Sequence, residues 1–72
     1  MRDLPIRSES IRLGQALKLS GLAESGGEAR ALVEDGVVTV NDEVETRRGR
    51  QLRHGDVVAV GGEALRIEAS AG

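Results

Sequence analysis

The stretch from Ser25 to Asn41 places a helix, a sharp stop and a strand in immediate succession. Ser25 and Glu28 have the capping-box spacing, in which the two side chains take up free backbone N–H groups at a helix start. Apolar residues then recur at intervals of three and four, as on one face of a helix, until Gly36 offers the left-handed conformation that ends many helices. Beyond Gly36 the apolar pattern alternates, which predicts a strand.

Two hairpins are predicted after this helix. The first strand ends at Asn41-Asp42, a pair that tolerates the positive φ of a tight turn, so residues 43–46 should return beside it. Residues 57–60 form a second apolar run, and Gly61-Gly62 signals a turn before a returning strand at residues 64–68.

Another helix is predicted before Ser25. From Ile11 to Ser20 the apolar and polar residues alternate with a helical period, and Gly21 should end the helix. Its apolar positions are Leu13, Ala16, Leu17 and Leu19. Residues 1–10 carry mixed charge around Pro5, which a sheet tolerates at its edge, so this segment is either an arm or an edge strand.

These elements predict an α+β domain in which two short helices, paired as in a helix-turn-helix, pack on a small and mostly antiparallel sheet. Residues 1–10 are its arm or edge strand, residues 11–60 its main body, and residues 61–72 a final hairpin strand whose last four residues should fray. With 72 residues and no aromatic side chain, the core must consist of valine, leucine, isoleucine and alanine.

Composition disfavours several classes of function. The chain has no cysteine and one histidine, so neither a metal nor another cofactor is expected, and we interpret His54 as structural. The acid pairs Glu34-Asp35 and Asp42-Glu43 lie at a helix end and a hairpin tip, where carboxylates are more often solvated than catalytic. No apolar run is long enough to span a membrane. We expect a cytoplasmic, non-catalytic monomer without a small-molecule substrate.

Charge is unevenly distributed along the chain. The net charge is −2, yet residues 47–53, which we expect to form a loop after the first hairpin, contain four arginines and no acidic residue. This leaves the rest of the chain markedly acidic. A molecule with one basic face attracts a polyanion to that face and repels it from the others. The four arginines are Arg47, Arg48, Arg50 and Arg53.

An ordered set of short motifs resembles the S4-type RNA-binding domain, a module found in ribosomal proteins, pseudouridine synthases and tyrosyl-tRNA synthetases. The matching segments are Arg12-Leu13, residues 21–23, residues 25–33, residues 36–41 and residues 55–60. The resemblance implies the S4-like, or alpha-L, fold, in which two helices, the turn after the first strand and a basic loop grip folded RNA. It also implies ribosomal RNA or a ribosomal subunit as the partner.

Carried over residue by residue, the resemblance implies RNA contacts at Arg12, Ser25, Arg30 and Asn41. This chain departs from the family pattern at Gly14, where many members have an acidic residue, and at Gly26-Gly27, where many have basic ones. We hypothesise that Arg47, Arg48 and Arg50 compensate for the charge missing from the second helix. The predicted RNA-binding residues are Arg12, Lys18, Ser25, Gly26, Arg30, Asn41, Arg47, Arg48, Arg50 and Arg53.

The kind of RNA follows from what the chain lacks. Proteins that bind single strands usually stack bases on aromatic side chains, and this chain has none. Arginines on phosphates and an asparagine at a 2′-hydroxyl suit structured RNA that is recognised by its shape. If four arginines met phosphates, log affinity would fall against log salt with a slope of about −3.

Simpler interpretations of the same residues stay open. Arg30 could pair with Glu34 one turn away, and Lys18 could merely keep its helix soluble. The arginines could also meet an acidic protein, which would make the chain a protein-interaction module. A ubiquitin-like sulfur carrier is less favoured, because such carriers need a terminal Gly-Gly and this chain ends Ser70-Ala71-Gly72.

Overall fold

The computed structural model of this chain describes residues 1–69, which form seven strands and two helices. In chain order the elements are β1 (Arg2–Ile6), β2 (Ser10–Arg12), α1 (Leu13–Ser20), α2 (Gly26–Glu34), β3 (Val38–Val40), β4 (Glu43–Val44), β5 (Gln51–Arg53), β6 (Val57–Val60) and β7 (Glu63–Ala69). The fraying expected of the last four residues lies outside the described residues, except at Ala69, which is the last residue of β7.

Five strands form one sheet in the order β1-β7-β6-β3-β4. β1 lies parallel to β7 and the other pairings in this sheet are antiparallel, which confirms the α+β fold with two helices and a mostly antiparallel sheet. The segment before residue 10 therefore contains an edge strand, and Pro5 lies in it, where a proline is tolerated.

A second sheet of two strands was not predicted. β2 pairs antiparallel with β5, so that Ile11 lies opposite Leu52 and Arg12 lies opposite Gln51. The assignment of Ile11 to the first helix is therefore wrong, and so is the assignment of residues 51–53 to a loop. The two strands are distant in sequence and each has three residues, so neither has a pattern long enough to identify it as a strand.

The hairpin between β3 and β4 has the predicted turn, with φ of 52° at Asn41 and 70° at Asp42. Its returning strand is shorter than predicted, because β4 ends at Val44. The next residue, Glu45, still donates its backbone N–H to the carbonyl of Val38 at 3.0 Å. Beyond this bond the chain leaves the sheet and enters the arginine segment.

Helix α2 begins after Ser25 and ends before Gly36 as predicted, but of the capping box the structure has only the bond accepted by Ser25. The Oγ atom of Ser25 accepts the N–H of Glu28 at 3.1 Å, which caps the first turn. Ala29 and Val33 are buried on the predicted face. Gly36, with φ of 75°, follows the helix and leads the chain into β3.

One cluster of aliphatic side chains joins the helices to both sheets, as predicted for a chain without aromatic residues. Helix α1 contributes Leu13, Ala16 and Leu17 to this core, and Ser20 is buried on the same face. The expectation that Leu19 lies on the apolar face is wrong, because Leu19 follows Leu17 by two residues and projects from the other side of the helix, where it is 62% exposed.

Leu17 and Leu19 provide a matched test of this packing. Leu17→Ala should lower the free energy of unfolding by about 2–5 kcal/mol, because it leaves a cavity at a fully buried position. Leu19→Ala makes the same chemical change in the same helix and should alter stability by no more than about 0.5 kcal/mol. Urea unfolding followed by circular dichroism measures both values, and equal losses would contradict the burial pattern.

Candidate nucleic-acid interface

Four cationic side chains from three parts of the fold line one cleft of about 400 Å³. Arg12 lies at the start of α1, Lys18 in α1, Arg30 in α2, and Arg48 in the loop before β5. The lining of this basic cleft consists of Arg12, Gly14, Gln15, Lys18, Gly26, Ala29, Arg30, Arg48 and Gly49. Because none of these described residues is acidic, the cleft suits an anionic ligand.

The start of α1 is held by the basic loop, which consists of residues 47–50. The first two N–H groups of a helix lack partners within the helix, and α1 has no serine in front of it. The N–H of Leu13 donates instead to the carbonyl of Arg50 at 2.8 Å, and the N–H of Gly14 donates to the carbonyl of Arg48 at 2.9 Å. These two bonds place the loop against the helix and form one wall of the basic cleft.

Gly14 allows this wall to form without an interposed side chain. A Cβ atom at position 14 would lie 3.6 Å from both the Cβ and the carbonyl oxygen of Arg48, which is ordinary van der Waals contact. A longer acidic side chain there would lie beside Arg48. With glycine in this place, no carboxylate at position 14 competes for the Arg48 guanidinium.

Glu45 is a buried carboxylate, 6% exposed, that binds two of the clustered arginines. It accepts hydrogen bonds from the backbone N–H and the Nε of Arg47, both at 3.1 Å, and from Arg47 Nη2 at 3.2 Å. Arg50 Nη1 donates to it at 2.8 Å. Hydrogen bonds from Arg47 and then from Arg50 lower the pKa of Glu45 to about 2, and the same pairing raises the pKa of Arg47.

The clustered arginines therefore differ in their surroundings. Arg47 and Arg50 are paired with Glu45, whereas Arg48 lines the basic cleft. Arg53 lies in β5 and is exposed, and its backbone N–H donates to Asp56 Oδ2 at 2.8 Å. Of the four, the structure brings Arg48 together with the predicted cations of the helices.

The residues predicted at helix α2 differ in what they do: Ser25 caps the helix, whereas Gly26 and Arg30 line the cleft. Arg30 lines the cleft, but its Nε also lies 3.1 Å from Glu34 Oε2, with more than half of each side chain exposed, so the simpler pairing is present. An exposed pair of this kind contributes little to stability. Ser25 caps the helix, and Gly26, which follows it, lines the cleft with open space where a Cβ atom would project.

Asn41 is used within the protein and does not line the basic cleft. Its Nδ2 donates to Asp56 Oδ1 at 3.1 Å, and its Oδ1 accepts the N–H of Val57 at 2.9 Å. The side chain thus joins the turn after β3 to the start of β6. His54 has a similar structural contact, because its Nδ1 accepts the N–H of Ala69 at 3.1 Å.

Sequence reasoning did not predict several residues that shape the site, among them Gln15, Gly49 and Glu45. Gln15 and Gly49 line the cleft, and no local pattern distinguishes them from other exposed residues. Glu45 had a usable signal, since it precedes Arg47 by two residues and Arg50 by five in a segment that returns from a hairpin. Its burial depends on how the loop folds back, which the spacing does not reveal.

The described part of the chain, residues 1–69, lacks two kinds of feature. Within residues 1–69, no cluster of three or more histidine, cysteine or acidic side chains is placed to hold a metal ion. Neither helix has the length and apolarity that crossing a bilayer requires.

The ion pairs of Glu45 with Arg47 and Arg50 predict how stability depends on pH. The carboxyl group of Glu45 titrates near 4.5 when unpaired and near 2 in the folded protein, so its contribution to stability is complete above about pH 5 and is lost as the pH falls towards 2. Glu45→Gln should lower the free energy of unfolding at pH 7 by about 1–3 kcal/mol. The difference between the two proteins should shrink as the pH falls.

Urea unfolding at pH 7, 5 and 3 measures this effect. Glu34→Gln is the matched control, because it removes a carboxylate whose ion pair is exposed, and it should leave the pH dependence of the wild type almost unchanged. Parallel pH profiles for the wild type and Glu45→Gln would contradict the assignment.

The family model described as S4 domain matches residues 4–68. Among curated proteins, the "Probable ribosome maturation protein RlbA" of Bacillus subtilis is 48% identical over 59 residues, which cover 82% of this chain and 83% of that protein. YbcJ of Escherichia coli is 34% identical over 59 residues, which cover 82% of this chain and 84% of that protein.

Solved structures share the fold. The solution structure of YbcJ, which reveals an ALFAL motif involved in RNA-binding, has a TM-score of 0.74 at 30% identity and covers 96% of this chain and 89% of that one. The 30S ribosomal protein S4e of Thermoplasma acidophilum has a TM-score of 0.63 at 23% identity, covers 83% of this chain and 32% of that one, and supports the fold alone. With a family match over nearly the whole described chain and relatives above 30% identity, the protein belongs to the S4 domain family.

Proposed function

We propose that this protein binds structured RNA through the basic cleft and catalyses no reaction. The observation that carries this proposal is the meeting of Arg12, Lys18, Arg30 and Arg48 around one cleft whose lining has no acidic residue. Phosphate contacts from arginine and lysine supply most of the affinity of nucleic-acid-binding proteins. A chain with a net charge of −2 can still bind RNA when its cations are gathered in this way.

The walls of the cleft also suit a phosphate backbone. Gly26 and Gly49 add no side chain to the lining, so a phosphate oxygen can approach the main chain there. Gly26 is the first residue of α2, and N–H groups at a helix start favour a negative charge. The cleft therefore combines cationic side chains with backbone N–H groups.

Structured RNA is favoured over single strands. The sequence has no phenylalanine, tyrosine or tryptophan on which unstacked bases could lie. Double-stranded RNA is recognised largely through its phosphates, its 2′-hydroxyl groups and its shape. The RNA-binding motif of YbcJ supports RNA as the partner, and the name of the Bacillus subtilis relative supports ribosomal RNA or a ribosomal subunit. In this proposal the protein acts as a cytoplasmic monomer.

Binding should depend on salt and on the cleft. Fluorescence anisotropy with a ribosomal-RNA hairpin should give a slope of log affinity against log salt of about −3, and an unstructured strand of equal length should bind more weakly. The triple variant Arg12→Gln, Lys18→Gln, Arg48→Gln should lose most of this slope, because it removes three of the four cleft cations.

A matched control separates the cleft from overall charge. Arg66 lies in β7, pairs with Asp3 at 3.2 Å and does not line the cleft, so Arg66→Gln should leave the slope nearly unchanged, whereas Arg48→Gln should reduce its magnitude by about 1. Equal effects of these two single variants would refute the cleft as the binding face. Failure of the wild type to bind either RNA at low salt would refute RNA binding and favour a protein partner, which pull-downs after nuclease treatment would retain.

A further inference from the structure

We propose that Glu45 is a positioning residue that decides which arginines of the basic loop RNA can use. It holds Arg47 and Arg50 in ion pairs within the protein and thereby presents Arg48 as the phosphate-binding cation of the loop. This inference rests on the proposed RNA-binding function and assigns different roles to the three arginines within residues 47–50.

Glu45 uses its whole carboxylate for contacts with the basic loop. Both of its carboxylate oxygens are occupied, since Arg47 binds each of them and Arg50 Nη1 adds a bond to Oε1 at 2.8 Å. The backbone N–H of Arg47 also donates to Oε2 at 3.1 Å. One side chain therefore fixes both the main chain and the guanidinium of the first loop residue.

The contacts of Glu45 also determine the shape of the basic loop. Glu45 fixes both ends of the loop, and the N–H of Arg50 donates to the carbonyl of Arg47 at 3.1 Å, which closes a turn with Arg48 and Gly49 at its tip. The tip is bound to α1 through the bond between the Arg48 carbonyl and the N–H of Gly14. The turn therefore delivers Arg48 to the basic cleft.

A phosphate that recruited Arg47 or Arg50 would have to take it from Glu45. Glu45 is 6% exposed with both arginines in place, whereas the side chain of Arg47 is 76% exposed and that of Arg50 is 35% exposed. An arginine that leaves Glu45 loses charge-assisted hydrogen bonds to the carboxylate, which carries a cost. A phosphate would have to offset that cost to recruit Arg47 or Arg50. Arg48 has no such cost, because within residues 1–69 its side chain makes no hydrogen bond or ion pair.

Variants that each remove one positive charge, measured with the same RNA hairpin, test whether the arginines have these different roles. With Glu45 present, Arg48→Gln should reduce the magnitude of the salt slope by about 1, whereas Arg47→Gln should leave it unchanged. A slope difference of 1 corresponds to about a fourfold difference in the affinity lost between 50 and 200 mM salt. Both variants remove one positive charge from neighbouring positions, so overall charge cannot explain a difference between them.

Glu45→Gln then releases the held arginines. For Glu45→Gln, the slope of log affinity against log salt should be steeper than for the wild type by about 1. Adding Arg47→Gln to this variant should reverse the change. Amide hydrogen exchange should also accelerate at Gly14, whose N–H depends on the docked loop, while exchange at Ala29 in α2 provides the control for intact folding.

The outcomes separate this inference from the proposed function. If the wild type binds the hairpin and Arg47→Gln reduces the slope as much as Arg48→Gln, the role assigned to Glu45 is wrong while RNA binding stands. That comparison needs no change at Glu45, so it remains decisive if Glu45→Gln fails to fold. If Glu45→Gln folds and leaves both the slope and Gly14 exchange unchanged, the inference is also refuted. Absence of binding by the wild type would instead refute the proposed function.

Discussion

The structure depends on two hydrogen bonds that join the start of α1 to the basic loop. The free N–H groups of Leu13 and Gly14 take the carbonyls of Arg50 and Arg48 as their partners, so the loop serves as the cap that α1 lacks in its own sequence. The same bonds bring a loop arginine beside the cations of both helices. The same two bonds therefore cap the helix and form one wall of the basic cleft. The neighbouring pairing of β2 with β5 holds the same segments together.

Burial of Glu45 adds a second constraint. A buried carboxylate must be paired, and the arginines nearest in sequence meet that need at distances of 2.8–3.2 Å. The number of arginines in residues 47–53 therefore overstates the charge that this segment can offer to a ligand. Arg48 and the helix cations Arg12, Lys18 and Arg30 form a smaller but better-defined basic surface. A net negative protein with such a surface would orient a polyanion as well as attract it.

Local chemistry made much of the fold predictable. The cap at Ser25, the left-handed Gly36 and the turn at Asn41-Asp42 each depend on residues within a few positions, and the structure has all three. The cap of α1 and the β2–β5 pairing depend on segments that meet only after folding, so sequence pattern could not give them. The same distinction applies to the candidate site. The cationic residues could be identified from the sequence, but the pairing of Glu45 with Arg47 and Arg50 could not.

An NMR titration of the labelled protein with a ribosomal-RNA hairpin tests directly whether the basic cleft is the surface that binds RNA. The backbone amides of Gly14, Gly26 and Gly49 lie around the basic cleft and should shift on binding, while amides of β7, which contributes no residue to the cleft lining, should not. Shifts confined to β7, or none at RNA concentrations that saturate binding, would show that the cleft is not the surface that meets RNA.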